Sequence, residues 1–527
     1  MKRLQEYLPC LICCGLALLS SLSLAAQPDS LWSVALYGEK GSFGHQFIEG
    51  IDGNIYWEGG MNSKLGDFTG NTKDEDGIFL AKISPSGEKV WINTFNDGYR
   101  EIIGGLAAAP DGGVILTGWR QVEGNQKDLW VAWYDPDGRL VWERTFGGPQ
   151  DDTGSSIFLS GNGQIIITGG TEGSGGDVSN HYGDRDVWLV ALDLNGNLKW
   201  ERTIGGSGTD LGSHLIEFRQ GYILVGSSDS PDGHISAPRG DFDIWLVELD
   251  GEGQYMRDYS FGGSGHDAAF RLIPITDGGF MLGGNTDSKD QQIFHYKGGP
   301  NNIWVAELDS NFSLEWSRTF GGSRGATGIG MFQTIANTFI VGSRSLSQDG
   351  DITSDPPENN PFLYGGGWLF EFGDYGEILW DVKFAVGDLG NNGFIRDIAP
   401  ASDGGFYIGR NRLNVLEGTF NDYFHAWLTK FGPPFPKYRE QTVCPEWLLY
   451  PNPLTGRQVQ LRWPEALTFD GEIRVIDVLG RIVHRQDAYF GGLEGQFELP
   501  AFLPAGQYVV QLRSEGKVCQ EPLIITE

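Results

Sequence analysis

Residues 186–210 read DVWLVALDLNGNLKWERTIGGSGTD, and close versions of that sentence recur along the chain. DLWVAWYDPDGRLVWERTFGGPQDD occupies 128–152, DIWLVELDGEGQYMRDYSFGGSGHD occupies 243–267, and NIWVAELDSNFSLEWSRTFGG occupies 302–322. Aligned on the second Trp, the copies fall at Trp32, Trp91, Trp142, Trp200, a degenerate place near Tyr255, Trp316 and Trp380. A period of about 50–65 residues marks propeller blades rather than helical arrays. Each copy divides into four strand-like runs, illustrated by Gly154 to Ser160, Gln164 to Gly170, Asp186 to Asp193 and Leu198 to Gly206. Alternating apolar residues, β-branched side chains and Gly/Asp/Asn punctuation identify them as strands.

The join between the last two runs, DLNGN or DPDGR, has the chemistry of a tight hairpin. An Asp opens the turn and Gly takes its left-handed position, which makes Asp135, Asp193, Asp250 and Asp309 turn formers. Trp pairs such as Trp188 and Trp200 are expected between neighbouring blades, because a four-stranded blade cannot bury both faces alone. The phasing also predicts how the ring closes. The chain enters on a lone fourth-type run, Ser30 to Gly38, and leaves on FIRDIAP, GGFYIGR and FHAWLTKF, the first three types. The expected fold is all-β: a seven-bladed β-propeller whose last blade is shared by both ends, followed by a small Ig-like β-sandwich.

Composition agrees. The 527 residues include 79 Gly and 17 Trp, and the 79 Gly are well above the usual share of about 7% without a collagen period. A net charge of -31 excludes a phosphate-backbone partner, which needs a basic footprint. At the N-terminus, Lys2 and Arg3 precede an apolar run from Leu8 to Leu24, and Ser23 and Ala25 suit a cleavage site. Residues 1–25 therefore read as a secretory signal peptide. Cys10, Cys13 and Cys14 lack the small residue that a lipoprotein signal places before its Cys, and no later segment is apolar enough to span a bilayer. Cys444 and Cys519 remain; in an oxidising compartment they are a candidate disulfide, with two free thiols as the alternative.

The repeat occupies 26–431. It resembles two families: ALDxxGxxxW is similar to quinoprotein-like propeller repeats, and the full sentence with TFGGSGxD and DGGF resembles secreted Bacteroidota propellers. That likeness implies a fold and no activity. Residues 432–447 are a Pro-rich linker, GPPFPKYREQTVCPE followed by Trp447. Residues 448–527 carry a different run of strands. There Tyr450, Asn452 and Pro453, Asp477 with Gly480 and Arg481, Leu503, Gly506 and Tyr508 resemble the type A C-terminal sorting domain of type IX secretion cargo. The resemblance implies the type IX secretion machinery as a partner and a secreted or outer-membrane-surface destination. Family tails end in basic residues; this one ends CQEPLIITE.

The second-to-third connections are long and polar, and share one face with the fourth-to-first connections. Long loops on a rigid scaffold are where binding sits. His181, His234 and His295 fall in three consecutive loops, without short ligand spacing, and successive blades are expected to splay them apart. Asp349, Asp351 and Asp355 in DGDITSD, and Asp74 with Asp76 in DEDG, alternate as oxygen ligands for a hard cation do, making calcium the candidate cofactor. No Gly-x-Ser-x-Gly elbow, phosphate loop or zinc-spaced Cys/His cluster occurs. The expected function is a non-enzymatic module that binds a glycan, protein or matrix ligand through its loop face, with a polysaccharide-active enzyme on that face as the alternative.

Overall fold

The computed structural model describes residues 30–62, 65–69, 77–95, 101–122, 126–275, 278–353, 366–373, 376–384, 394–413, 424–432, 448–450, 454–455, 457–477, 482–500, 503, 506–514 and 517–526. These residues fall into two compact units, one within 30–432 and the other within 448–526.

The first unit is a seven-bladed β-propeller of four-stranded antiparallel sheets. Blade 3 is typical: Asp152–Leu159, Ile165–Thr171, Asp186–Leu192 and Leu198–Ile204 pair in chain order. The inner strands of blades 1 to 7 are Ser42–Glu49, Glu101–Ala108, Asp152–Leu159, Asp210–Phe218, Asp267–Pro274, Ala326–Gln333 and Phe394–Pro400, and each packs against the next around a closed circle. Blade 7 is shared as its phasing predicts. Ser30–Leu36 pairs with Phe424–Phe431 as the outer strand of a sheet otherwise built by the end of the repeat. Val34 and Leu36 are buried with Leu428 of their own blade and with Trp57 and Phe79 of blade 1.

The Trp-rich, Gly-rich sentence is explained by one contact repeated around the ring. In blades 1, 2, 3, 5 and 7 the outer-strand Trp lies over the hairpin of the following blade. Trp32, Trp91 and Trp142 donate indole N–H bonds to the carbonyls of Pro85, Pro136 and Leu194, at 2.9, 3.1 and 3.1 Å. Beneath each ring is the turn Gly. Gly196 has φ 78°, and a Cβ there would lie 3.0 Å from the Trp142 ring; Gly87, Gly138 and Gly253 meet Trp32, Trp91 and Trp200 in the same way. Gly is needed twice over, for the left-handed turn and for the face of the ring. Asp193 organises that turn by accepting the Asn195 and Asn197 N–H groups at 2.8 and 2.9 Å, and Asp135, Asp250 and Asp309 do the same in theirs.

The exception has a compensating partner. In blade 4 the register places Arg257, opposite Glu248 as Trp200 is opposite Ala191, in the position of the outer Trp, with Tyr255 two residues earlier in the position of Leu198. The next hairpin has Phe312 in place of Gly, held at φ 62°. The Phe312 ring is buried, stacked on Phe280 at 4.7 Å and close to Tyr259 at 4.8 Å. Loss of the ring from one blade is thus met by a ring from the other.

The third-strand Trp fills the interior between blades. Trp188 is fully buried with Leu129, Val131 and Trp133 of blade 2. Its indole N–H is satisfied by Glu201, the residue after the outer Trp, at 2.9 Å; Trp130 and Glu143, Trp245 and Asp258, and Trp368 and Asp381 repeat the bond. In blade 5 a Ser, Ser317, stands in the acidic position, and the buried Trp304 N–H has no partner.

The second unit is a small Ig-like β-sandwich. Gln458–Asp477 is its longest strand, pairing with Ile482–Glu498 along one edge and with Gly506–Ser514 along the other. Alternate residues form its core: Val459 and Leu461, Ile473 and Val475, Tyr508, Val510 and Leu512, Leu523 and Ile525.

Candidate functional site

The two families of connections on the loop face are interlocked. Between blades 3 and 4 the connection Gly205–Gly206–Ser207–Gly208–Thr209 exposes a row of backbone N–H groups, and the long loop of blade 4 supplies acceptors in order. Ser207 N–H bonds Asp232 at 2.8 Å, Gly208 N–H bonds Ser230 at 2.9 Å, and Thr209 N–H bonds Asp229 at 2.5 Å. His234 Nδ1 stands 3.2 Å from Gly205 N and 2.8 Å from its carbonyl oxygen. The next junction repeats the pattern with Asp290, Ser288, Asp287 and Gln292. The one after uses Asp349 on Ser323 N–H at 2.8 Å, Ser347 on Arg324 N–H at 2.9 Å and Asp351 on Gly321 N–H at 3.1 Å.

This accounts for several residues singled out in the sequence. Asp349 and Asp351 occupy the positions of Asp232 and His234 and clip the preceding connection; Asp351 also pairs with Lys297 at 3.2 Å and Arg318 at 3.6 Å. Asp355, Asp74 and Asp76 lie outside the described residues, as do Cys444, Asn452, Pro453, Gly480 and Arg481. Among the described residues, no group of three or more His, Cys, Asp or Glu side chains is placed to hold a metal ion. His181 and His234 are closer together than splayed loops suggest. Both lower the carboxyl pKa of Asp186, which burial otherwise raises, and His181 Nε2 is 3.5 Å from it. The interlock draws both loops onto one junction, Tyr182 resting edge-on against His234 at 5.2 Å. His295 is exposed, at φ 59°, and its carbonyl accepts the Thr319 hydroxyl at 2.5 Å. The clipped face also presents exposed Tyr182, Leu211, Phe294 and Leu346.

A second cluster lines the central channel and was missed in the sequence. In every blade the inner strand slips register once against its neighbour, between Gly44 and Phe47, Ile103 and Gly105, Gly154 and Ser156, Gly212 and His214, Ala269 and Arg271, Gly328 and Gly330, and Ile395 and Asp397. Such bulges re-aim side chains and collect beside functional sites. Where blades 2, 3 and 6 place Gly or Ser after the slip and blade 1 places Phe47, blades 4, 5 and 7 place His214, Arg271 and Asp397. That departure from the repeat was the available signal.

The three groups sense one another. Burial pushes the Asp397 carboxyl up to about 7, against the pull of the Phe47 N–H, which it accepts at 3.1 Å, and of Arg271. Burial and Arg271 push the His214 imidazole down to about 3, and its Nε2 accepts the Leu272 N–H at 3.3 Å. Both side chains are enclosed by protein yet keep part of their surface open, as groups facing a channel do. Glu58, buried, raises Asp397 further; it accepts the Gln46 N–H at 2.9 Å and stands 3.5 Å from His45.

In the second unit, Tyr450 lies in the strand Leu448–Tyr450, Asp477 is paired with Tyr508, Tyr508 and Leu503 are in the core, and Gly506 opens a strand. Residues 448–526 match the secretion system C-terminal sorting domain. The chain is thus a secreted, all-β protein carrying a type IX sorting domain, destined for the extracellular side or cell surface. No helix among the described residues is long and apolar enough to cross a membrane. The chain is also 23% identical over 191 residues to the regulatory protein FlaEY of Caulobacter vibrioides, a match covering 34% of this chain and 20% of that relative. Among solved structures it is similar to a protein of unknown function from Dyadobacter fermentans (13% identity, TM-score 0.35, covering 60% of this chain and 94% of that one). It is similar also to the hemagglutinin-neuraminidase of parainfluenza virus 5 (8% identity, TM-score 0.37, covering 77% and 95%). These likenesses define no activity for the chain.

Proposed function

We propose that the protein is a binding module, delivered by the type IX machinery and held at the outer-membrane surface, that takes an extracellular glycan, protein or matrix ligand on its loop face. One observation carries the reading. The loops of that face are fastened to the inter-blade connections by their own Asp, Ser, Gln and His side chains, so the face is preorganised while its polar groups serve the frame. A rigid face loses little freedom on binding, and its exposed Tyr182 and Phe294 supply apolar contact area. The acidic balance favours neutral or cationic ligands.

A second reading is favoured by the channel: a polysaccharide-active enzyme in which Asp397, with its pKa near 7, acts as acid and Glu58 as the second carboxylate. Incubating the exported protein with a panel of bacterial and algal polysaccharides separates the two. Retention without product supports the module; defined products that vanish in Asp397→Asn support the enzyme and overturn the module.

A further inference from the structure

Three junctions bring two carboxylates together, Asp128 half-buried and the other five buried. An Asp at the start of a third strand, Asp128, Asp186 or Asp243, faces the first residue of the next inner strand, Asp152, Asp210 or Asp267. A Cβ on Gly147 would lie 2.8 Å from Asp128 Oδ1 and 2.8 Å from Asp152 Oδ2, and one on Gly205 would touch both Asp186 and Asp210. Asp152, Asp186, Asp210 and Asp267 are fully buried and Asp243 nearly so. One oxygen of each pair is held: Asp186 Oδ2 accepts Tyr182 N–H at 2.6 Å, Asp243 Oδ2 accepts Arg239 N–H at 2.5 Å, and Asp152, Asp210 and Asp267 accept the second Gly of each Gly-Gly. The other oxygen of the third-strand residue is not: Asp128, Asp186 and Asp243 Oδ1 are buried with no hydrogen-bond partner.

The following junction shows what is missing. There the third-strand residue is Asn302 and the inner-strand residue is Ala326. Asn302 Oδ1 accepts Lys297 N–H at 2.6 Å, as the Asp Oδ2 atoms accept theirs. Its Nδ2, in the place of the unpartnered Oδ1, donates to the carbonyls of Gly298 at 2.9 Å and Asn301 at 2.7 Å. The Asn301 carbonyl also accepts Ala326 N–H at 3.0 Å; the equivalent carbonyls of Arg185 and Phe242 accept Asp210 and Asp267 N–H at 2.6 and 2.8 Å. Where Asn brings a donor to these carbonyls, Asp brings a second acceptor. An unpaired buried carboxylate oxygen among carbonyl oxygens needs a positive centre.

We propose that the junctions of Asp128 with Asp152, Asp186 with Asp210, and Asp243 with Asp267 each bind a hard divalent cation of the calcium class. Two carboxylates and backbone carbonyls, completed by water, are the oxygen set such an ion takes in flexible geometry. The charge balance agrees: in each pair the partner's charge raises a carboxyl pKa already raised by burial. Each ion would tie the third strand of one blade to the inner strand of the next, and the Asn302 junction would need none.

The test uses the mature full-length protein, stripped with chelator and dialysed against calcium chloride alone. Bound calcium is counted, and the unfolding midpoint is followed with and without it. The expected result is one equivalent per carboxylate pair and an upward shift of the midpoint. The triple variant Asp128→Asn, Asp186→Asn, Asp243→Asn, which copies the Asn302 junction, is expected to fold, to lose those equivalents and to lose the shift. No bound calcium in the wild type, with midpoints equal in calcium and chelator, would overturn the proposal and leave each pair sharing a proton. Unchanged calcium in the triple variant would overturn it too. Should the variant not fold, the wild-type count and shift still decide.

Discussion

At the scale of single residues, the repeat is most informative where it breaks. Arg257, standing where other blades have the outer Trp, and Phe312, standing where other hairpins have Gly, are separate irregularities in sequence that meet at one blade junction, where the Phe312 ring packs on Tyr259 of the same outer strand. Phe312→Gly relieves a left-handed backbone but empties a buried ring site, and is expected to lower stability by about 3–5 kcal/mol. Adding Arg257→Trp should return part of that, a coupling of about 1–3 kcal/mol, because a Trp over a Gly is the arrangement at the other hairpins. Denaturant unfolding of both single variants and the double measures it; strict additivity would contradict the exchange. Asp397 supplies a second test at this scale. Its folded pKa, about 7, lies above the ordinary carboxylate value, so between about pH 4 and pH 7 the folded state binds the extra proton. Its contribution to stability is therefore fullest at low pH and falls as pH rises toward 7. Asp397→Asn removes that dependence, and its stability relative to wild type should climb across the window and level off above it. A difference flat with pH would show that the carboxyl is not held protonated.

At the scale of elements, strands and hairpins were legible because they rest on local chemistry. Alternation gave the third strands, Asp and Gly gave the turns, and the lone run at Ser30 announced a shared blade. The interlock was not legible. Loops such as SDSPDGH read as solvated because their acceptors answer N–H groups in another blade, and only the folded ring brings those together. The same reason hid His214, Arg271 and Asp397: a register slip cannot be seen in one strand alone. The shared blade makes its own prediction. Deleting Ser30–Leu36 exposes the edge of Phe424–Phe431 and removes Val34 and Leu36 from the core joining blades 7 and 1, each worth about 1.5–3 kcal/mol. The unfolding midpoint should fall for the entire propeller in a single transition. An unchanged midpoint would mean that the ring does not depend on its N-terminal strand.

At the scale of the whole molecule, two units with separate cores divide the work. The sorting domain was legible in the sequence, and its match covers 448–526. Removing that domain should leave a folded propeller that crosses the inner membrane and stops in the periplasm. Fractionation checks this, and delivery to the surface equal to the full chain would remove the sorting role. The ligand was not legible, since an acidic face of Asp, Ser and Gly specifies rigidity more clearly than chemistry. The central claim, that the clipped face binds without turning over, is tested most directly by titrating a polysaccharide or matrix component retained from the panel into three proteins: wild type, Tyr182→Ala with Phe294→Ala on the loop face, and Leu140→Ala with Val141→Ala in an outer strand. The account predicts saturable binding, weakened about tenfold or more by the loop-face pair and unchanged by the outer-strand pair, with the ligand recovered intact. Cleaved ligand, or equal affinity in all three proteins, would contradict it.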